Sequence, residues 1–167
     1  ASADELCRIS GIGPAKATQL IAACELAERR SEEKVTGTDM LKSPESVYEA
    51  IAESLRDLKD EVFKALFLNK KNELIEMRQI ARGTPDKVTI YPRQIVEMCL
   101  SVGASKMILA HNHPTGSTEP SVKDIQLTAK LFEGLKFIDV ELLDHIVVGK
   151  DNFRSMKRDG HFEGRTT

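Results

Sequence analysis

Hydrophobic residues near the start of the chain recur with the spacing of a helix. In "LCRISGIGPAKATQLIAACELAERR", Leu6 and Ile9 are three residues apart, and a longer apolar face follows the letters "GIG". That face consists of Ala17, Leu20, Ile21, Cys24 and Ala27. The pattern predicts two helices around a glycine hinge over residues 1–34, followed by a charged linker over 35–42. Because the sequence opens close to the first helix, we expect this module to be truncated at its start.

The next helix is predicted from a start signal. Ser43 suits the N-cap position and Pro44 the first helical position, and the apolar spacing carries the helix to about Asp57. Its inward residues would be Val47, Ile51 and Leu55. Tyr91 and Pro92 give a similar signal. The residues of that later helix predicted to point inward are Ile95, Val96, Cys99 and Leu100.

Strand patterns occupy the rest of the chain. The run "EVFKALFLN" mixes β-branched, aromatic and leucine residues, and "NKKN" joins it as a hairpin to "ELIEMRQIARG". The run "SKMILAHN" is almost continuously apolar, which is typical of a strand at the centre of a sheet. A long helix is predicted from about Pro120 to Lys136, and "DVELLDHIVVG" and "DNFRSMK" would close the chain as paired strands. Helices and strands intermix, so residues 43–167 are predicted to form an α/β domain with a mixed sheet.

Composition excludes several classes of protein. The 167 residues carry a net charge of −2 and a pI near 6.1, which argues against a large surface for neutralising phosphates. Three cysteines without CxxC spacing favour a reducing compartment over a disulfide framework. The sequence contains neither an apolar run of spanning length nor a signal peptide. We therefore expect a cytoplasmic protein that does not enter a membrane.

Two histidines stand where the central strand ends. His111 and His113 are two residues apart, so an extended backbone directs both imidazoles to one side. Asp124 follows a loop rich in Pro and Gly, within the first turns of the next helix, from where it could return to the same point. Two imidazoles and a carboxylate form a typical catalytic zinc set that leaves one position for water. A further carboxylate would then be needed as general base.

The same stretch has a purely structural interpretation. Ser121 and Asp124 match the [ST]-x-x-[DE] pattern of a capping box, and an acid suits the first turn of a helix. A single histidine is more often structural than a metal ligand. On the residues alone, a capped loop and a metal site both remain open.

The order and spacing of these residues resemble a known motif. His111-Asn112-His113, seven residues, Ser121, two residues and Asp124 match without gaps the JAMM motif of the JAB/MPN zinc metalloproteases. The surrounding "ILAHNHPTGSTEPSVKD" and the downstream "DHIVVG" resemble the RadC family, the bacterial branch of that fold. The resemblance covers roughly Ser43 to the C-terminus and implies the JAB/MPN (cytidine deaminase-like) fold.

The resemblance also implies roles for individual residues. His111, His113 and Asp124 would bind Zn²⁺, and Glu61, at the start of an early strand, would hold and deprotonate the attacking water. Ser121 would donate a hydrogen bond to the oxyanion that develops on the attacked carbonyl. The alternative for Glu61 is a solvated charge at the end of a strand, and Glu73 and Glu76 on the next strand are its rivals. The implied reaction is hydrolysis of a peptide or isopeptide bond in an unidentified substrate.

Two other positions leave questions open. Many eukaryotic members have Ser or Thr where this chain has Asn112, and the segments that hold ubiquitin in deubiquitinating members are not evident, so the metal site transfers better than the substrate. His145 would be a partner of the metal site, a substrate contact or a structural histidine.

The N-terminal glycines resemble the hairpin of a helix-hairpin-helix module. In "ISGIGPAKA", Gly11 and Gly13 permit a tight turn, free N–H groups at the following helix start could bind a phosphate, and Lys16 could add a charge. A packing or protein-binding hairpin is the alternative. Residues 1–34 hold six acids and five bases, so any DNA affinity would be weak and sensitive to salt. Three functions follow: a zinc hydrolase, a DNA-associated protein linked to repair, and a non-catalytic scaffold stabilised by zinc.

Overall fold

The chain forms two compact units. A computed structural model describes residues 2–33, 43–84 and 90–162, and its contacts separate Ala1–Val35 from Thr36–Thr167. The predicted linker at 35–42 lies outside the described residues. No helix in the described ranges is long and apolar enough to cross a membrane.

The first unit is a helical hairpin. Helix α1 (Ala3–Cys7) begins at a capping box, in which the Ser2 side chain accepts from the Glu5 N–H and the Glu5 carboxylate accepts from the Ser2 N–H. Helix α2 (Pro14–Glu33) follows the glycine turn. Along the predicted apolar face of α2, Ala17 is buried, whereas Leu20, Ile21 and Cys24 are exposed. The side chain of Ala27 lies outside the described part of the chain.

The second unit alternates helices and strands. Its elements are α3 (Pro44–Leu55), β1 (Glu61–Leu68), β2 (Leu74–Gly83), α4 (Pro92–Val102), β3 (Lys106–Asn112), α5 (Val122–Lys136), β4 (Glu141–Val148) and β5 (Phe153–Ser155). Within the described residues, the five strands form one sheet in the order β2-β1-β3-β4-β5. Among these five described strands, only the β3–β4 pair is parallel, and the other neighbours are antiparallel. The predicted α/β fold with a mixed sheet flanked by helices is confirmed, and β3 lies at its centre.

Because β3 and β4 are parallel, the chain has to return to the end of the sheet where β3 began before it can start β4. Parallel neighbours require a crossover connection, and α5 provides it between β3 and β4. The first turn of α5 is joined by a short loop to the end of β3. Ser121 is the N-cap, so α5 begins at Val122 rather than near Pro120 as predicted.

The main core lies between the sheet and helices α4 and α5. Alternate residues of β1, Phe63, Ala65 and Phe67, pack with residues from both helices. The α4 residues buried there are Ile95 and Cys99, with Val96 partly buried. The prediction that Leu100 points inward is wrong, because α4 buries only a narrow strip and Leu100 is 61% exposed on its outer side.

Candidate metal centre

The end of β3 brings two imidazoles together. His111 is the penultimate residue of β3 and is completely buried, with its ring stacked on Phe63 of the neighbouring strand. His113 follows the strand and is partly exposed, and its Nδ1 lies 3.1 Å from the carbonyl oxygen of Ser117. The two Nε2 atoms are 2.9 Å apart. The spacing of two residues therefore directs both rings to one point, as the sequence predicted.

Asp124 reaches the same point from the first turn of α5. Its Oδ1 lies 3.5 Å from His111 Nε2, and its Oδ2 lies 3.4 Å from His113 Nε2. Ser121 holds Oδ2 through its hydroxyl at 2.6 Å and its backbone N–H at 2.7 Å. The Asp124 N–H in turn donates to Ser121 Oγ at 3.2 Å. The hydrogen bonds of the capping box therefore also hold the Asp124 carboxylate beside the two histidines.

Glu61, the first residue of β1, completes the group. One ligand atom from each of Glu61, His111, His113 and Asp124 lies within 4.8 Å of every other. The rival acids lie elsewhere: Glu73 accepts from Asn69 in the β1–β2 turn, and Glu76 pairs with Arg78 on β2. The structure therefore brings Glu61, and neither rival, to the histidines.

Asn112 fixes the start of β1 against the end of β3. Its Oδ1 accepts from the Val62 N–H at 2.8 Å, and its Nδ2 donates to the Asp60 carbonyl at 3.0 Å. These two backbone groups flank Glu61. Sequence reasoning recorded Asn112 only as a difference from other families, because no local pattern shows which distant backbone an amide will bind.

The neighbouring charges shift the pKa of each group. Burial, and then repulsion from Asp124, raises the pKa of Glu61. Burial alone would raise the pKa of Asp124, but its interactions with the His111 and His113 rings and its hydrogen bonds with Ser121 outweigh burial and hold the pKa well below its usual range. Complete burial lowers the pKa of His111, whereas the hydrogen bond with Asp124 raises that of His113.

This set of donors suits a divalent cation. Two carboxylates lie beside each other with a repulsion that a cation would relieve, and two imidazole nitrogens face the same point. Imidazole with carboxylate oxygen is a donor set that zinc accepts, and four groups suffice for three ligands and a general base. The residues present therefore fit the metal that the motif implies.

The group opens on a cleft of about 690 Å³. Glu61, His113, Ser121 and Asp124 line one part of it. The apolar lining residues are Phe63, Ile90, Pro92, Pro114, Val122 and Leu127. Lys123 and Lys130 add positive charge along α5. A polar reactive group in an apolar cleft is the usual arrangement of a small-molecule or peptide site.

Comparison with known proteins identifies the family. The family model described as "RadC-like JAB domain" matches residues 41–161. The chain belongs to the RadC-like JAB domain family. It is 41% identical over 152 residues to a UPF0758 protein of Paraburkholderia xenovorans (strain LB400), covering 91% of this chain and 60% of the relative. A UPF0758 protein of Janthinobacterium sp. (strain Marseille) is 43% identical over 161 residues, covering 96% and 72%. One from Desulforamulus reducens is 39% identical over 160 residues, covering 96% and 70%.

The RadC-like match includes every residue of the metal centre. It excludes the helical hairpin, and the chain as a whole spans 60% of the Paraburkholderia xenovorans relative. In the hairpin, Gly11 adopts φ +87°, which favours glycine, and the Gly13 carbonyl accepts from the Ala17 N–H. Lys16 Nζ donates to the Gly11 carbonyl at 3.0 Å. Lys16, which was predicted to add a charge contact with phosphate, thus uses one of its N–H donors on the turn itself.

A histidine outside the motif contacts the centre. His145, in β4, is completely buried, and its Nε2 lies 2.8 Å from His111 Nδ1. Its Nδ1 lies 2.6 Å from the hydroxyl of Thr128 in α5. Sequence reasoning left His145 open and did not single out Thr128, because only the packing of α5 against β4 brings them together.

Proposed function

We propose that this RadC-like JAB domain is a zinc-dependent hydrolase that cleaves a peptide or isopeptide bond. The observation that carries the proposal is the convergence of Glu61, His111, His113 and Asp124 within 4.8 Å. All of them except the buried His111 line the cleft. His111 Nε2, His113 Nε2 and Asp124 Oδ1 would hold the metal. Oδ1 is the freer oxygen of Asp124, because Ser121 occupies Oδ2.

Zinc chemistry at such a site is Lewis acidity, which polarises a substrate carbonyl and makes water acidic near neutral pH. Glu61 lies at the cleft and its pKa is raised, which brings a carboxyl closer to the range that suits a general base. In the proposed reaction it accepts a proton from the attacking water. It then delivers the proton to the departing amine as the C–N bond breaks and the water oxygen remains on the acyl carbon.

Ser121 is the candidate donor to the oxyanion. In the structure its hydroxyl proton is directed to Asp124 Oδ2 at 2.6 Å. An oxyanion on the substrate would compete with that carboxylate for the same proton, so the hydroxyl has to rotate to serve this role. The Ser121 N–H also remains on Asp124, which keeps the carboxylate in place.

Metal analysis with matched variants tests the proposal. We expect about one zinc per chain in the wild type, loss of zinc in His113→Ala, and retained zinc without hydrolysis in Glu61→Gln. Hydrolysis is measured on peptide and isopeptide libraries. Protein that stays metal-free after preparation in zinc would contradict the proposal. Zinc-dependent folding without hydrolysis by any preparation would instead favour the scaffold.

A DNA-associated role is the second candidate, and the positive φ at Gly11 in a turn before α2 is the observation that favours it. Backbone N–H groups at the start of a helix can bind phosphate. Fluorescence anisotropy with duplex and branched DNA at low salt tests this, with Gly11→Val and Gly13→Val as variants. Equal binding by both variants and the wild type, or no binding at all, would exclude the hairpin as a DNA site.

A further inference from the structure

A buried series of hydrogen bonds joins the His111 ring to the backbone of Asp124. It passes from His111 Nδ1 to His145 Nε2 at 2.8 Å, from His145 Nδ1 to Thr128 Oγ1 at 2.6 Å, and from Thr128 Oγ1 to the Asp124 carbonyl at 2.6 Å. His145, Thr128 and His111 are all completely buried. We propose that Thr128 and His145 are positioning residues that fix the tautomer of His111, so that its Nε2 lone pair faces the metal.

The last hydrogen bond of this series, which ends at the Asp124 carbonyl, determines which atom donates in each of the others. A carbonyl oxygen only accepts, so the short contact with Asp124 requires the single hydroxyl proton of Thr128. The other acceptor near that hydroxyl, Met156 Sδ, is a weaker one at 3.8 Å. Thr128 Oγ1 therefore accepts from His145, and His145 carries its proton on Nδ1.

The hydrogen bond between His145 and His111 then determines which nitrogen of His111 carries its proton. Both ring nitrogens of His145 face uncharged groups, the Thr128 hydroxyl and the ring of His111. A completely buried ring whose two nitrogens both face uncharged groups is neutral, because an unpaired buried charge is costly. With its proton on Nδ1, the His145 Nε2 accepts from His111 Nδ1–H. The neutral His111 then presents an unprotonated Nε2 to His113 and Asp124.

This arrangement gives His111 the partner that a metal-binding histidine needs on its second nitrogen. His113 obtains its partner differently, from the Ser117 carbonyl next to Nδ1. The inference rests on the proposed metal site for its effect on zinc, but the tautomers themselves are a property of the metal-free chain. The two can therefore fail separately.

Nitrogen-15 NMR of the histidine rings in the full, metal-free chain tests the tautomers directly. We expect neutral His111 and neutral His145 both to carry the proton on Nδ1, and His111 to keep it there after zinc is added. A neutral His111 that carries its proton on Nε2 in the wild type would overturn the inference. This measurement requires no variant, so it does not depend on whether a mutant folds.

Zinc affinity, measured by competition with a chelator, tests the consequence. Thr128→Val keeps the shape of the side chain but removes the acceptor, which frees His145 to take the Nε2–H tautomer and force the proton of His111 onto its own Nε2. We expect zinc binding about 10-fold weaker or more, with the His111 NMR signals shifted towards the Nε2–H form. Thr128→Ser restores the hydroxyl and should restore both readouts.

Ser155→Ala is the matched control. It removes another buried hydroxyl, the one that donates to Asp144, without touching either histidine ring. It should therefore leave zinc affinity within about threefold of the wild type. A folded Thr128→Val protein that binds zinc like the wild type, or a Ser155→Ala protein that weakens zinc equally, would overturn the inference. Absence of zinc binding in the wild type with the expected tautomers would instead contradict only the proposed metal site.

Discussion

The Asn112 side chain accepts a hydrogen bond from the backbone N–H of Val62 at 2.8 Å, next to Glu61. The same amide donates to the carbonyl of Asp60 on the other side of Glu61. One side chain, located between His111 and His113 in the sequence, therefore holds the backbone that carries the proposed general base. The relative position of Glu61 and the imidazoles depends on this contact as well as on the β1–β3 ladder, whose register ends at Phe63 and His111.

Replacing Asn112 by Ala should destabilise the protein and leave the metal ligands in place. The Val62 N–H and the Asp60 carbonyl would lose their partners, at a cost of about 1–3 kcal/mol in unfolding free energy. Urea unfolding measures the loss. Asp60→Ala is the control, because it removes only a partly exposed ion pair with Arg82 and keeps the carbonyl that Asn112 binds; its cost should stay below about 1 kcal/mol. Equal losses in the two variants would refute the role of Asn112.

Glu61→Gln should change how the stability of the metal-free protein depends on pH. The pKa of Glu61 is raised in the folded state, so its contribution to stability is present below the unfolded pKa and is lost as pH rises through the folded value. The amide does not titrate and does not repel Asp124. Unfolding with chelator present, from acid to neutral pH, should therefore show that the stability of the wild type falls relative to that of the variant as pH rises. Parallel curves would argue against a buried Glu61 carboxylate.

Zinc should stabilise the folded chain, and acid should weaken its binding. A ligand at 100 times its Kd adds about 2.7 kcal/mol to the unfolding free energy. His113 must lose a proton to bind metal, and the hydrogen bond with Asp124 raises its pKa above the ordinary value of a histidine. Zinc affinity should therefore fall as pH decreases through neutrality. Thermal melts with zinc and with chelator measure the stabilisation by zinc. Chelator competition at several pH values measures how zinc affinity depends on pH. His113→Ala should abolish both effects.

Gly149→Ala should disturb the loop that carries His113 and Ser121. A Cβ at Gly149 would lie 2.6 Å from the Gly116 carbonyl oxygen and 2.7 Å from Thr118 Cγ2. The loop has to move, at a cost of about 1–3 kcal/mol, and zinc affinity should fall with it. Gly134→Ala within α5 is the matched control, since its Cβ meets nothing within 4 Å and alanine favours a helix by about 1 kcal/mol. Thermal melts and zinc titration of both variants decide the matter; a Gly149→Ala protein that behaves like Gly134→Ala would show that the loop adapts.

Local signals in the sequence predicted most elements of the second unit. Ser43 and Pro44 begin α3, and Ser121 caps α5, because a cap depends on residues three positions apart. The apolar run of β3 indicated a central strand because both of its faces are covered. The inward assignment of Leu100 failed because spacing alone gives the direction of an apolar face but not how wide a strip the neighbouring element covers.

The metal centre also combines features that local sequence determined with features that only the tertiary structure determined. The sequence by itself determined that His111 and His113 point the same way and that Asp124 stands at a helix start, since both follow from backbone geometry over a few residues. Only the tertiary structure decided that Glu61 joins them rather than Glu73 or Glu76, and that Asn112, His145 and Thr128 support them. Those contacts join β1, β3, β4 and α5. They depend on strand order and crossover packing, which no local spacing of residues records.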